Sequence, residues 1–467
     1  MENHPPRNTW PGSLRLPSPN PPKCRQITIF GGGTATNHLV DVFANLAQAN
    51  NSVLNYIIPI SDNGGSSSEL IRVFGGPGRL VRLIPDNGDP HSEASSIKEL
   101  FNHRLPPDPK SARLEWLEIV ESLHPLWRQI STPKKELIRS FLNLVNQEIV
   151  KRMRPSSRFD FSSASIGNLF LTGARLFSGS LESAIYLLSS VCSVPETITV
   201  LPAINTNFSH HISVSLADGS HITGQNNISH PPAPSSLPDM APPSPTRIRR
   251  ETEESDNVED ANLPGSLPSL RKPAIKFSKL EEEDLPSRIE RLWYINPYGQ
   301  EMSCPANPRV LEALSKSSTV IYSIGSLFTS IIPSIILRGV GQAIASPGIR
   351  NKILILNSSI DRETGPASDP FTAIDFIAAI ADACAESRGL SKPKLEDYWV
   401  YVSHVIYIES KEAPKVDRET LTKAGIEGIR LYGQSGKYDD KALEQALKMV
   451  LGKGEQIGLS RRNTLQR

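Results

Sequence analysis

Apolar positions along this chain of 467 residues follow two periods, and the change from one to the other marks its elements. "CRQITIF" is a short β-branched run that predicts a buried strand. In the following "NHLVDVFANLAQ", Leu39, Val40, Phe43, Leu46 and Ala47 fall on one helical face. "VLNYIIPI" predicts a second strand. Two strands joined through one amphipathic helix form a βαβ unit, whose strands pair in parallel.

From about residue 86 to 160 the period is helical and the polar face charged, with "SARLEWLEIVESL" and "PKKELIRSFLNLVNQEIVKRM" as its clearest segments; this predicts a helical insertion. "SIGNLFLTGARLFSGSLESAIYLLSSVC" adds two helices. After it come the strand "ITVLPAI" and the hairpin "HISVSLADGSHITGQNNI", with Asp218-Gly219 at its turn. Regular structure resumes at "RIERLWYINP". "STVIYSIG", "KILILNSS", "WVYVSHVIYI" and "GIRLYG" then read as strands, with helices at "SIIPSIILRGVGQAIA", "AIDFIAAIADACAES" and "DDKALEQALKMVLG". Strands alternating with helices predict a single doubly wound α/β sheet interrupted by insertions.

The pattern lapses in three places. Residues 1–23 hold seven prolines and no apolar block, and read as a disordered arm rather than a secretory leader. Residues 229–287 are rich in proline and in blocks of like charge, and read as a disordered insertion between two parts of the α/β domain, 24–228 and 288–453. Residues 454–467 read as a loose basic tail.

Charge narrows the partners. Fifty Lys and Arg against 49 Asp and Glu leave a net charge of +1, which gives no general attraction for nucleic acid or an anionic membrane. Any anion site must be local. Cys24, Cys192, Cys304 and Cys384 lie far apart and form no metal or redox motif, which fits a reduced cytosolic or nuclear setting, the cytoplasm being the expected one. Thr319 to Leu337 carries no charge, but Ser323, Gly325, Ser326, Thr329, Ser330, Pro333 and Ser334 break it into a strand, a turn and a helix start rather than a membrane span.

Ligands of open parallel sheets bind beyond the strand ends, where the candidate chemistry gathers. Gly31, Gly32 and Gly33, with Thr34 and Thr36, follow the first strand. Their amides can hold an anion, or the turn can simply pack helix on strand. No lysine ends the loop, which disfavours a Walker-type NTPase. "ISDNGGSSSEL" follows the second strand. Asp62 beside Asn63, Gly64 and Gly65 either serves a divalent cation or substrate hydroxyl between two anionic groups, or forms an Asx turn capping a helix from Glu69. Gly325 and Ser326 form a third glycine turn, with Ser330 as expected N-cap and Pro333 in the first helical turn. Gly167 and Asn168 stand at another helix entrance. His210 and His211 would point to opposite faces of a strand and make a poor metal pair, Cys384 reads as core, and no nucleophile elbow is present.

In this order, "ITIFGGGTATNHLV", "IPISDNGGSSSELIRVFGGPGRLVRLI", "SIGNLFLTGARL", "VLPA" with "LADGSHITGQNNI", and "YSIGSLFTSIIPSIILRGVGQAI" resemble the 2-phospho-L-lactate transferase and gluconeogenesis-factor family. The resemblance implies a Rossmann-like sheet with a nucleotide pocket at its strand ends. One branch transfers a phospholactate unit from a guanosine diphosphate ester to a deazaflavin hydroxyl with a divalent metal, here magnesium. The other binds UDP-sugars and regulates carbon metabolism. Carried over by motif, Gly31, Gly32, Gly33 and Thr34 lie against the diphosphate, and Asn63, Gly64 and Gly65 line the substrate. Asp62 becomes the metal ligand or acceptor-orienting catalytic carboxylate, and Asn168, Gly325 and Ser326 line the nucleotide pocket. The expected function is transfer of a phospho-group unit from a nucleotide diphosphate-type donor; the alternative is a non-catalytic UDP-sugar-binding regulator. Neither implies nucleic acid or membrane as partner, and both leave a homo-oligomer open. Two departures stand out: Ala35 replaces the family's glycine after Thr34, and "FGGPGRLVRLI" passes directly from Gly78 to Arg79, without the intervening Gly-Asp-Ile-Arg-like stretch.

Overall fold

The fold is taken from a computed structural model that describes residues 25–32, 36, 38–60, 92–152, 159–205, 210–229, 267, 284–433 and 437–464. Seven strands form one sheet: β1 (Arg25–Phe30), β2 (Ser52–Ile58), β3 (Ile198–Pro202), β8 (Ser317–Tyr322), β9 (Asn351–Ile355), β10 (His404–Ile408) and β11 (Glu427–Leu431). Their order is β11-β10-β9-β8-β1-β2-β3, and every neighbouring pair is parallel. Strands covered on both faces need continuous apolar runs, as in β1, where Ile27, Ile29 and Phe30 are fully buried, and in β8, where Val320, Ile321 and Tyr322 are. The expected Rossmann-like α/β fold is present.

β4 (His211–Leu216), β5 (His221–Thr223), β6 (Ile289–Ile295) and β7 (Glu301–Met302) make a separate antiparallel sheet, ordered β5-β4-β6-β7. This corrects the expectation of a single sheet. "RIERLWYINP" pairs with the hairpin, Ile212 opposite Tyr294 and Val214 opposite Leu292. The apolar alternation of β6 suits a sheet buried mainly on one face, whereas the central parallel strands are buried nearly throughout.

The connection from β2 to β3 carries the helices Glu93–Asn102, Pro109–Val120, Thr132–Arg152, Ile166–Ser178 and Leu181–Val191. Trp116 and Trp127 anchor this layer, with Trp116 Nε1 donating to Asn146 Oδ1 and Trp127 Nε1 to the Ile119 carbonyl. Gly173 lies so close to the neighbouring helix that a Cβ there would meet the Phe141 carbonyl oxygen at 2.2 Å.

Three local expectations are corrected. "WVYVSHVIYI" begins as a 3-10 helix, Leu395–Val400, and becomes strand only at His404. "SIIPSIILRGVGQAIA" is broken into a π turn, Leu327–Ile331, and short helices at Ile332–Ile335 and Val340–Ile344. Ser330 is therefore inside the first turn rather than its cap. The last helix runs Asp440–Thr464, into the segment read as a tail.

Candidate functional site

The chain passes outward from β1 to β2 and β3 on one side, and β8 to β11 extend on the other, so β1 and β8 flank the topological switch point. In open parallel sheets ligands bind beyond the strand ends at such a point. Three hydrogen bonds tie these strand ends together. Ser323 N donates to the Phe30 carbonyl at 2.9 Å, Gly31 N to the Ile57 carbonyl at 3.3 Å, and Thr36 Oγ1 to the Ile324 carbonyl at 3.1 Å.

Glycine is required here for closeness as much as for rotation. A Cβ on Gly31 would lie 2.6 Å from Thr36 Oγ1, and one on Gly325 would lie 3.2 Å from the Gly32 carbonyl oxygen. Gly325 has φ +147°, a conformation that side chains with a Cβ rarely adopt. Asn357, two residues beyond β9, clasps Gly325 from both sides: its Nδ2 donates to the Gly325 carbonyl at 2.9 Å, and its Oδ1 accepts the Gly325 N–H at 3.0 Å. Gly325→Ala is expected to lower stability by about 1–3 kcal/mol, read by thermal unfolding. An unchanged melting temperature would mean that the turn relaxes without strain.

The next turn, Leu327–Ile331, has its N–H groups taken by a carboxylate. Glu363 Oε2 accepts from Phe328 N at 2.9 Å and Thr329 N at 3.0 Å, while Oε1 accepts from Thr329 Oγ1 at 2.6 Å and Ser229 Oγ at 2.8 Å. Glu363 is 1% exposed, on the 3-10 turn Arg362–Thr364 that Asp361 caps. Burial first, and the nearby Asp361 charge second, push its carboxyl up to about 7.

These contacts say where the expected site residues stand. Gly31 and Gly32 pack against the Gly325–Ser326 turn at the ends of β1 and β8. Asn168 is buried in the first turn of Ile166–Ser178, where its backbone carbonyl accepts from Thr172 Oγ1. Gly33, Thr34, Asp62, Asn63, Gly64 and Gly65 lie outside the described residues. Cys192, Cys304 and Cys384 are buried thiols, with burial pushing Cys192 up to about 12, so they are poor nucleophiles. A pocket of about 570 Å³ lies between β6 and the helix Ala373–Ser387. Phe328 and Ile332 from the segment behind Gly325 form part of its wall.

Asn357 and Glu363 were missed in the sequence. Each is an ordinary polar residue in a loop, and only the parallel pairing of β8 with β9 brings it to the glycine turn.

The seven-stranded parallel sheet, with its switch point between β1 and β8, defines a Rossmann-like protein. The model of the family "2-phospho-L-lactate transferase CofD" matches residues 27–431, and the chain belongs to that family. The uncharacterized protein YNL011C of Saccharomyces cerevisiae is 37% identical over 448 residues, covering 91% of this chain and 99% of that one. A gluconeogenesis factor of Halalkalibacterium halodurans is 22% identical over 362 residues, covering 78% and 74%. The crystal structure of a UPF0052 family member from Bacillus halodurans matches with a TM-score of 0.54 at 19% identity, over 91% of this chain and 99% of that one, and shares the fold. Among the described residues no helix is long and apolar enough to cross a membrane.

Proposed function

We propose that the protein is a 2-phospho-L-lactate transferase-like enzyme, binding a nucleotide diphosphate-type donor beyond the strand ends at the switch point and moving a phospho-group unit to an acceptor hydroxyl, with the phosphoanhydride bond broken and the nucleoside monophosphate leaving. The observation that supports this best is the close pairing of the Gly32 and Gly325 turns, where backbone stripped of Cβ atoms lines the strand ends. Asn357 and Glu363 already occupy the N–H groups of Gly325, Phe328 and Thr329. The diphosphate is therefore held from the loop after β1, by Gly32 to Thr34, with Gly31, whose N–H donates to the Ile57 carbonyl, lying against it, while Gly325 and Ser326 shape the nucleotide side.

Glu363 is unsuited to a cation, because both its oxygens accept from N–H or O–H donors. Asp62, a hard oxygen donor, is the residue proposed to hold magnesium, with Asn63, Gly64 and Gly65 beside the substrate. Bound magnesium would neutralise charge on the transferred group. The protein's own share is to orient donor and acceptor and to exclude water from the site.

A second reading, a non-catalytic UDP-sugar-binding regulator, is favoured by the gluconeogenesis-factor name of the Halalkalibacterium relative. Calorimetric titration with GDP, UDP and UDP-N-acetylglucosamine, with and without magnesium, separates the two. The transferase reading expects GDP to bind more tightly with magnesium. The regulator reading expects UDP-N-acetylglucosamine to bind equally well without it, and binding of none of the three would refute both.

A further inference from the structure

His103, Glu115 and His124 come together in the helical layer, on elements that the proposed nucleotide site does not use. One ligating atom from each lies within 4.8 Å of the others. His103 Nε2 contacts Glu115 Oε1 directly, and His124 Nε2 stands 3.6 Å from the same oxygen. The two imidazole rings are 5.6 Å apart between centroids and tilted by 42°.

We propose that these three residues form a binding site for a divalent transition metal, zinc above all, with the fourth position open to water. Two imidazoles and one carboxylate are a donor set that zinc accepts and that magnesium or calcium, which prefer all-oxygen shells, does not. Ligands about 2.0–2.2 Å from a tetrahedral zinc stand about 3.3–3.6 Å from one another. The observed spacing needs only small side-chain movements to reach that geometry. The side chains are 29%, 21% and 17% exposed, enough for an ion to enter from solvent.

The backbone around the cluster is already fixed. His103 closes the helix Glu93–Asn102, its N–H donating to the Glu99 carbonyl at 2.9 Å and its carbonyl accepting from Ile166 N at 3.0 Å. Glu115 projects from the middle of Pro109–Val120. His124 N donates to the Glu118 carbonyl at 3.2 Å, and its carbonyl accepts from Trp127 N at 3.2 Å. Three rigid segments converge, which is the support that a metal site needs.

Coordination through Nε2 requires each imidazole to carry its proton on Nδ1. For His124 this replaces the hydrogen bond in which Leu126 N donates to Nδ1, a long contact of 3.3 Å. The metal thus ties the end of one helix to the next helix and to the turn after it, as a clasp on the helical layer rather than as part of the reaction.

The test uses untagged full-length protein, stripped with a chelator and titrated with zinc by calorimetry in excess magnesium, with cobalt as a spectroscopic probe. One equivalent of zinc should bind, and cobalt should give the intense visible bands of a four-coordinate site. His103→Gln and Glu115→Gln should each weaken zinc binding by about a hundredfold or more, while His210→Gln, away from the cluster, should leave it unchanged. The absence of a stoichiometric zinc site in the wild-type protein would overturn the proposal, as would His103→Gln and Glu115→Gln variants of undiminished affinity. The wild-type titration decides even where a variant fails to fold.

Discussion

Replacing Glu363 by alanine should lower the unfolding free energy near pH 5 by about 3–5 kcal/mol, read from denaturant melts. At that pH the buried side chain is the neutral acid, one oxygen accepting from Phe328 N and Thr329 N and the other sharing hydrogen bonds with the Thr329 and Ser229 hydroxyls, and alanine leaves both N–H groups without an acceptor. An unpaired buried donor costs its full desolvation, so the loss exceeds what a single exposed hydrogen bond would give. Glutamine should restore most of it. Its carbonyl oxygen can take the two backbone N–H groups while its amide donates to Thr329 Oγ1 and Ser229 Oγ, hydroxyls that accept as readily as they donate. A Glu363→Ala protein as stable as the wild type would show that the turn after β8 caps itself.

The same side chain gives stability a pH dependence of definite sign. An unfolded glutamate titrates at about 4.3, whereas burial first and then Asp361 push folded Glu363 up to about 7. Between those values the folded state binds more protons than the unfolded one. Its contribution is therefore complete below the lower value and is lost as pH rises through about 7. Glu363→Gln, neutral throughout, should gain stability relative to wild type as the pH is raised over that window.

What the sequence made legible follows from how local each signal is. The parallel strands could be read because burial on both faces demands unbroken apolar runs such as Ile353–Leu356, and the glycine turns because a missing Cβ is visible in the letter itself. The second sheet was less legible. β6 is separated from its partner β4 by the long proline-rich segment, and pairing at that distance leaves no local mark. Glu363 was invisible for a related reason. A glutamate in a loop is ordinarily solvated, and its burial depends on Ser229, 134 residues earlier, and Thr329, 34 residues earlier. The Ser330 cap was misplaced because Glu363 does the work of a cap from another segment, which allows the turn to begin at Leu327. The His103, Glu115 and His124 cluster escaped because its spacings, 12 and 9 positions, match no short ligand motif and are closed by helix packing.

Asp62 separates the two functional readings most sharply, and Asp62→Ala should lower the rate of phospho-group transfer by about a hundredfold or more. The argument is electrostatic. A diphosphate held by backbone amides already carries the negative charge that those amides can balance, so a carboxylate beside it is repelled unless a cation or an acceptor proton lies between them. An enzyme needs that third party, because charge develops on the leaving nucleoside monophosphate as its phosphoanhydride bond to the transferred phospho-group breaks. A regulator that only holds a nucleotide does not. Under the transferase reading, the variant should therefore retain nucleotide binding in the absence of magnesium, lose the gain that magnesium brings, and lose turnover. Under the regulator reading, ligand binding should be the same in wild type and variant at every magnesium concentration. Measuring affinity and transfer on one preparation places the carboxylate in the chemistry if transfer falls and metal-free binding stays. A variant that transfers at the wild-type rate removes Asp62 from the reaction.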